Sequence, residues 1–360
     1  MDLTLTEEQA MLRDGARRLL ASEYGFAQRR AMLTDPQAAA SLWHRFAEMG
    51  WLSIGFSEAQ GGLGGSAADV ALLMEEFGRA LVAAPYISCV VLAGSALAVA
   101  GHDLLPGIMA GETQAALAHD EPGRRLQTNA EKDGAAYRLR GRKLLVLGAP
   151  MAGVLVVSAC LAGGGTALFL VKPDAPGLTM RRYRTVDGFA AADLALDGVT
   201  ATPLILDNAD AVLGAAQDAA IVAAGAEALG ICQAVIAMTR DYAQTRKQFG
   251  RPIGEFQVVQ HRLADMFVEA ERLRGALYGA LAAAEGTPED RMRAASALKV
   301  QIGAAAQFVT AQGIQLHGGM GVTDETAVGH YFKRVTVLES LFGNSAFHLE
   351  RYARLMSFPA

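Results

Sequence analysis

The chain is poor in charge. Of its 360 residues only 19% are Asp, Glu, Lys or Arg, against 52% hydrophobic ones, and the net charge is −5. A clustered basic face of the kind that binds nucleic acid is missing, which argues against a nucleic-acid binder. Cysteine is scarce too: Cys89, Cys160 and Cys232 lie far apart, are odd in number and form no C-x-x-C pair. Neither a disulfide framework nor a zinc site is expected, no metal ligands are assigned, and a reducing cytoplasm fits. The opening "MDLTLTEEQAMLRDGARRLLA" moves from acids straight into helical periodicity, so it does not read as a signal peptide. No repeat with a period of 20–50 residues is evident.

Against that low charge one stretch stands out. "AAIVAAGAEALGICQAVIAM", residues 219–238, has the length of a membrane span, about 20 residues. It is built from Ala and Gly, however, holds Glu227 and Gln233, and runs into Arg240 and Asp241. It therefore reads as the central buried helix of a bundle, and no transmembrane segment is expected. Glu227 then needs an account. Burying an ionised carboxylate costs several kcal/mol unless it is paired or takes up a proton. It is either a structural acid with a partner across the bundle or a base held for a task.

The chain divides by pattern into three parts: an N-terminal helical domain (1–115), a middle β domain (116–205) and a C-terminal helical domain (206–360). In the first, Thr6 followed by Gln9 is a capping signal ahead of helical apolar spacing. "GFSEAQGGLGGSA" holds five glycines but follows no obvious strand, so it reads as a flexible turn before a helix rather than a phosphate loop. The middle part has short runs such as "GVLVVSACL", "TALFLVKP" and "LTMRRYR", punctuated by Gly, Pro and Asp. In the last part helices are expected over 211–245, 257–285, 288–316 and, with breaks, 334–356. The fold class is α+β by segregated domains.

The most specific passage is "TRKQFGRPIGEFQVVQHRLADM", residues 245–266. Arg246 is either a cation capping a helix C-terminus or a planar fork suited to a pyrophosphate, with Phe249 beside it to cover a ring. The stretch resembles the R-x-x-F-G-x-x-I-x-x-F-Q signature of the acyl-CoA dehydrogenases. "QLHGGMGVTDETAVGHYFKR" (315–334) is similar to that family's Q-x-x-G-G-x-G segment, and the helix–strand–helix order agrees over essentially the whole chain. "GHYFKR" and "LFGNSAFH" most resemble the branch formed by pimeloyl-CoA dehydrogenase small subunits.

The resemblance implies an acyl-CoA dehydrogenase-like fold with a C-terminal four-helix bundle. It implies an FAD flavoprotein that introduces a 2,3 double bond into an acyl-CoA thioester and passes electrons to an electron-transfer flavoprotein. Arg246 would meet the FAD pyrophosphate, with Phe249 and Gln257 along the nucleotide half. Gln315, Gly318 and Gly319 would approach the same half from a neighbouring subunit. The site then requires an oligomer, either a homotetramer or a heterotetramer with a larger acyl-CoA dehydrogenase subunit.

The pattern breaks where the chemistry is centred. Counting from Arg334, the family's usual base position falls on Gly343, and the alternative position on the earlier helix falls on Ala220. Glu227 lies two helical turns beyond Ala220, on nearly the same face, and is the candidate catalytic base. Glu339 and Glu350 are weaker candidates, both expected on exposed helix faces. The strand residues that would face the flavin ring are replaced by Asp120, Leu145 and Leu147. Arg124 and Arg125 are either a solvated loop pair or a steering pair for a dicarboxylyl-CoA. The chain is thus expected to act either as a dehydrogenase subunit or as a catalytically silent small subunit that completes a larger partner's FAD site.

Overall fold

Thr6 starts the first helix as its spacing predicts. The Thr6 hydroxyl accepts from the Gln9 N–H, and the Gln9 side chain accepts from the Thr6 N–H, both at 3.2 Å. A computed structural model describes residues 4–356. Six helices come first: α1 (Glu7–Glu23), α2 (Phe26–Met32), α3 (Pro36–Glu48), α4 (Ala67–Ala80), α5 (Ser95–Val99) and α6 (Leu105–Met109). Seven strands follow: β1 (Ala115–Ala118), β2 (Asn129–Asp133), β3 (Ala136–Leu147), β4 (Val154–Leu161), β5 (Thr166–Val171), β6 (Leu178–Arg184) and β7 (Ala190–Ile205). Then come α7 (Ala209–Thr245), a small hairpin β8 (Lys247–Gln248) and β9 (Arg251–Pro252), α8 (Gln257–Ala282), α9 (Pro288–Gln301), α10 (Gln307–His317), α11 (Ala327–Ser340) and α12 (Ser345–Leu355). The α+β class with segregated helices and strands is what the structure shows.

Backbone packing separates two units. One holds the residues up to Ala31, Ala67–Val82, and those from Ile221 onward; the other holds Met32–Ser66 and Ala83–Ala220. In the first, α4 and α7 cross backbone to backbone. A Cβ on Gly78 would fall 1.9 Å from the Glu227 carbonyl oxygen, and one on Gly230 would fall 1.9 Å from that of Glu75. This close approach explains the small residues in the apolar stretch of α7. That stretch is 78% buried within the chain. The helix expected over 288–316 is present as a continuous helical run, α9 and α10 being linked by a π-helical turn at Ile302–Ala306. A Cβ on Gly303 there would sit 2.1 Å from the Ser345 hydroxyl, so this junction packs tightly on the start of α12. The last helix breaks at Leu341–Asn344, where Phe342 and Gly343 both take positive φ (59° and 96°) and Asn344 caps α12.

In the second unit the strands form a closed path, β4–β2–β3–β7–β5 and back to β4, with β1 added beside β4 and β6 beside β7. Leu139, Leu155, Val157, Phe169, Leu196 and Val199 fill its interior. The glycine-rich loop is not a loose turn. The N–H groups of Gly62, Leu63, Gly64 and Gly65 all donate to carbonyls of residues 53–57, and a Cβ on Gly62 would meet the Phe56 carbonyl at 2.2 Å. Those donors are spent on the loop itself, so none of the four is turned outward for a phosphate.

Candidate functional site

The signature residues gather at one end of the helical unit. α7 ends at Thr245, and Arg246 follows, its N–H donating to the Tyr242 carbonyl at 2.8 Å. The chain then reverses through β8 and β9, with Phe249 and Gly250 at positive φ (53° and 83°). Two consecutive positive φ values are what a two-residue hairpin of the I′ kind demands, and a bulky aromatic there is an outlier. The Phe249 ring is 93% exposed, touching Phe256 edge-on at 6.2 Å, while the Arg251 guanidinium lies over Phe256 at 4.4 Å. Gln257 opens α8 and is exposed.

The glycine segment meets this end from α10. The His317 ring stacks on Tyr242 at 4.5 Å, and a Cβ on Gly313 would come within 2.5 Å of Val235, so α7 and α10 run side by side to the same end. Arg262 of α8 donates to Gln312 of α10 at 2.7 Å, which brings the start of α8 to them. Gln315, Gly318 and Gly319 are exposed here, and a Cβ on either glycine would meet no atom within 4 Å. Arg246, Phe249, Gln257 and the glycine segment thus lie toward the same end of the helical unit.

The base candidates behave differently. Glu227 is 3% exposed and its two oxygens accept from Arg334, at 2.6 Å from Nε and 2.8 Å from the terminal nitrogen. Arg334 is itself 5% exposed. A carboxylate held in this bidentate way has both oxygens turned to the guanidinium, which is the paired structural acid of the two readings of Glu227. A side chain at Gly343 would be crowded and strained: a Cβ would lie 2.5 Å from the Phe347 ring and 3.0 Å from the His348 Nε2, at φ 96°. Ala220 is fully buried.

Glu339 is not on an exposed face as expected. Its carboxylate is 19% exposed, accepts the Ser345 N–H at 2.9 Å and stands 3.7 Å from the buried Lys299 Nζ. The helix break at 341–344 turns α12 back over it. Glu350 is exposed, as its position predicts.

Sequence reasoning missed several buried polar groups, among them His348 and the Lys143–Glu121 pair. His348 is fully buried, with Nε2 2.9 Å from the Phe342 carbonyl and Nδ1 3.2 Å from the Ser296 hydroxyl. Burial pushes its pKa down to about 4. In the β unit Lys143 is fully buried and donates to Glu121, to the Ser158 hydroxyl at 3.0 Å and to the His119 carbonyl at 3.4 Å. Glu121 also accepts the Gln127 N–H at 2.6 Å and the Thr128 N–H at 3.1 Å, closing the loop of residues 121–128. Burial lowers the Lys143 pKa to about 8. The signal was a lysine inside the apolar run "KLLVL" of β3. Two residues on, Leu145 takes φ 48°, and its N–H donates to the Asp193 carboxylate at 3.1 Å. Leu145 and Leu147 are half-buried and Asp120 is exposed, so this strand presents hydrocarbon where a flavin-facing hydroxyl was sought.

Comparison with known proteins agrees along the chain. The acyl-CoA dehydrogenase N-terminal domain matches residues 6–110, the middle domain 121–199 and the C-terminal domain 219–357. Acyl-CoA dehydrogenase IpdE2 of Mycobacterium tuberculosis (strain ATCC 25618 / H37Rv) is 32% identical over 334 residues, 92% of each chain. Among solved structures, a variant of the Tcur3481-Tcur3483 steroid ACAD is 34% identical, with TM-score 0.89 over 98% of each chain. The ChsE4-ChsE5 complex from Mycobacterium tuberculosis is 27% identical, with TM-score 0.90 over 100% of each. The chain belongs to the acyl-CoA dehydrogenase family, a family of acyl-CoA oxidoreductases whose cofactor is FAD.

The residues present fit the nucleotide half of that cofactor. Arg246 has no ion-pair partner among the described residues, a Cβ on Gly318 or Gly319 would meet open space, and the exposed Phe249 ring offers an apolar face.

Proposed function

We propose that this chain is the subunit without a base in a heteromeric, FAD-dependent acyl-CoA dehydrogenase, probed best together with a larger partner chain of the same family. The complex would introduce a 2,3 double bond into an acyl-CoA thioester and hand its electrons to an electron-transfer flavoprotein. The observation that carries this reading is the state of the base positions. Gly343 is closed off by Phe347 and His348, Ala220 has no functional group, and Glu227 is spent on Arg334.

When bound, FAD supplies the acceptor for the hydride that leaves the β-carbon. Within this chain Arg246 would hold the pyrophosphate with its planar fork. Gln257 and Gln315 would donate amide hydrogen bonds along the nucleotide half, while Phe249 covers an apolar part of it. Gly318 and Gly319 would let the backbone approach closely, where any side chain would stand in the way. The base that removes the α-proton would come from the partner chain. Glu227 has a structural task in this reading, not a catalytic one.

Two relatives support the partner: the names of the Tcur3481-Tcur3483 and ChsE4-ChsE5 structures describe pairs of chains. The proposed setting is the cytoplasm, in keeping with three free thiols, and the domain limits proposed are 1–115, 116–205 and 206–360. A dicarboxylyl preference would rest on Arg124 and Arg125. The Arg124 side chain lies outside the described residues and Arg125 is exposed, so the acyl class is left open.

The test is the visible spectrum of the chain purified alone and with its partner, before and after a panel of acyl-CoAs. The paired chains should show a flavin band that an acyl-CoA bleaches, and the single chain should not bleach. Full bleaching by the single chain would overturn the proposal.

A further inference from the structure

Arg29 of α2 is 1% exposed and belongs to none of the groups described above. Its Nε donates to the Leu81 carbonyl at 2.9 Å, which also accepts from the Tyr24 hydroxyl at 3.3 Å. A terminal nitrogen lies 3.4 Å from Nδ1 of His330, on α11. A guanidinium can only donate, so Nδ1 must accept and the ring proton must sit on Nε2. That Nε2–H in turn donates to the Asp324 carbonyl at 3.2 Å. Phe26 meets the imidazole edge-on at 5.0 Å and fixes its plane. The buried arginine thus selects the tautomer whose N–H reaches the segment just after the glycines.

That segment is tied into one piece. The Met320 carbonyl accepts from the Thr323 N–H (3.3 Å), the Thr323 hydroxyl (3.0 Å) and the Thr326 hydroxyl (2.7 Å). A Cβ on Gly329 would lie 3.1 Å from the Gly321 carbonyl, so α11 begins hard against the glycine turn. Lys333 holds the Asp324 carboxylate at 2.7 Å. Asp324 is therefore gripped twice from α11, once by its backbone and once by its side chain.

We propose that Arg29 and His330 are positioning residues that hold residues 318–326 in the shape with which Gly318 and Gly319 meet the nucleotide half of FAD. This rests on the reading that those glycines face the cofactor. Neither Arg29 nor His330 touches it. Arg29 sets the imidazole, and the imidazole sets the segment.

The test uses the full chain in the oligomer in which it purifies. His330→Phe keeps a ring against Phe26 and loses both hydrogen bonds. His330→Gln keeps a donor where Nε2 stood and loses the acceptor for Arg29 and the ring against Phe26. Two quantities are read: hydrogen exchange of the backbone amides of 318–326, and FAD affinity from flavin fluorescence. His330→Phe should speed exchange in that segment and weaken FAD binding, each by about tenfold, while the amides of α7 keep their protection. His330→Gln should restore only part of both, the shortfall reflecting the lost hold of Arg29 on the ring. Unchanged exchange in His330→Phe would overturn the positioning role. Faster exchange with unchanged FAD affinity would also overturn the proposal, but through the cofactor reading, and Gln315→Ala with undiminished FAD affinity would confirm that source of failure.

Discussion

Arg334 and Glu227 stand 107 residues apart in sequence and meet as a closed two-bond pair, 2.6 and 2.8 Å, with neither side chain open to water. The pair joins α11 to α7, the most deeply buried helix of its unit. Breaking such a pair by changing one partner leaves a buried charge uncompensated, which is costlier than never having had the pair.

Glu227→Gln should therefore lower stability by roughly 3 kcal/mol while the partnered enzyme keeps its turnover. Replacing both residues by Met should recover most of the loss. Urea unfolding and steady-state rates on the same preparations check this, and a hundredfold loss of turnover in Glu227→Gln at full stability would return Glu227 to the role of base.

Arg246 should be the strongest single contributor to FAD retention. Arg246→Lys keeps the charge but not the fork and should weaken FAD about tenfold; Arg246→Ala should weaken it by about a hundredfold. Flavin fluorescence titration reads both. Equal affinity of the lysine variant and the unaltered chain would mean that a point charge is all the site uses.

Gly319 offers a cleaner separation of fold from function. A methyl group there would enter open space, and its φ is not one that favours glycine, so Gly319→Ala should change stability by less than about 0.5 kcal/mol. FAD affinity should nonetheless fall several-fold. A variant that binds FAD as before would remove the glycine segment from the site.

His348 should make the fold acid-sensitive. Its folded pKa, about 4, lies below the ordinary 6.5 because burial disfavours the charged ring. Between those values the unfolded chain binds a proton and the folded chain does not. Stability from this group is complete above pH 6.5 and is lost as pH falls toward 4, by roughly 3 kcal/mol over the window. His348→Gln should flatten that part of the stability–pH curve; an unchanged slope would place the acid sensitivity elsewhere.

Periodicity carried much of the architecture. The capping pair at Thr6 and Gln9, the strands from "AALA" to β7 and the buried nature of α7 follow from spacing that local physics enforces. What stayed hidden depends on residues distant in sequence. Arg334 is an ordinary basic residue in "YFKR" until α11 folds onto α7, and Glu339 looks solvent-facing until the turn at 341–344 folds α12 over it. The π-helical turn between α9 and α10 had no sequence feature to announce it. The glycine loop was misjudged as loose because composition does not reveal that its amides find carbonyls a few residues upstream. The signature residues were legible as a set; that the ends of α7 and α10 lie side by side appears only in the stack of His317 on Tyr242.

The crowding around Gly343 bears on the missing carboxylate. With Phe347 and His348 packed into the space a side chain would need, a single codon change to an acid meets an occupied seat, at a backbone angle only glycine takes readily. An acid at this position would need the Phe347 and His348 rings to move and the turn to take a different backbone angle.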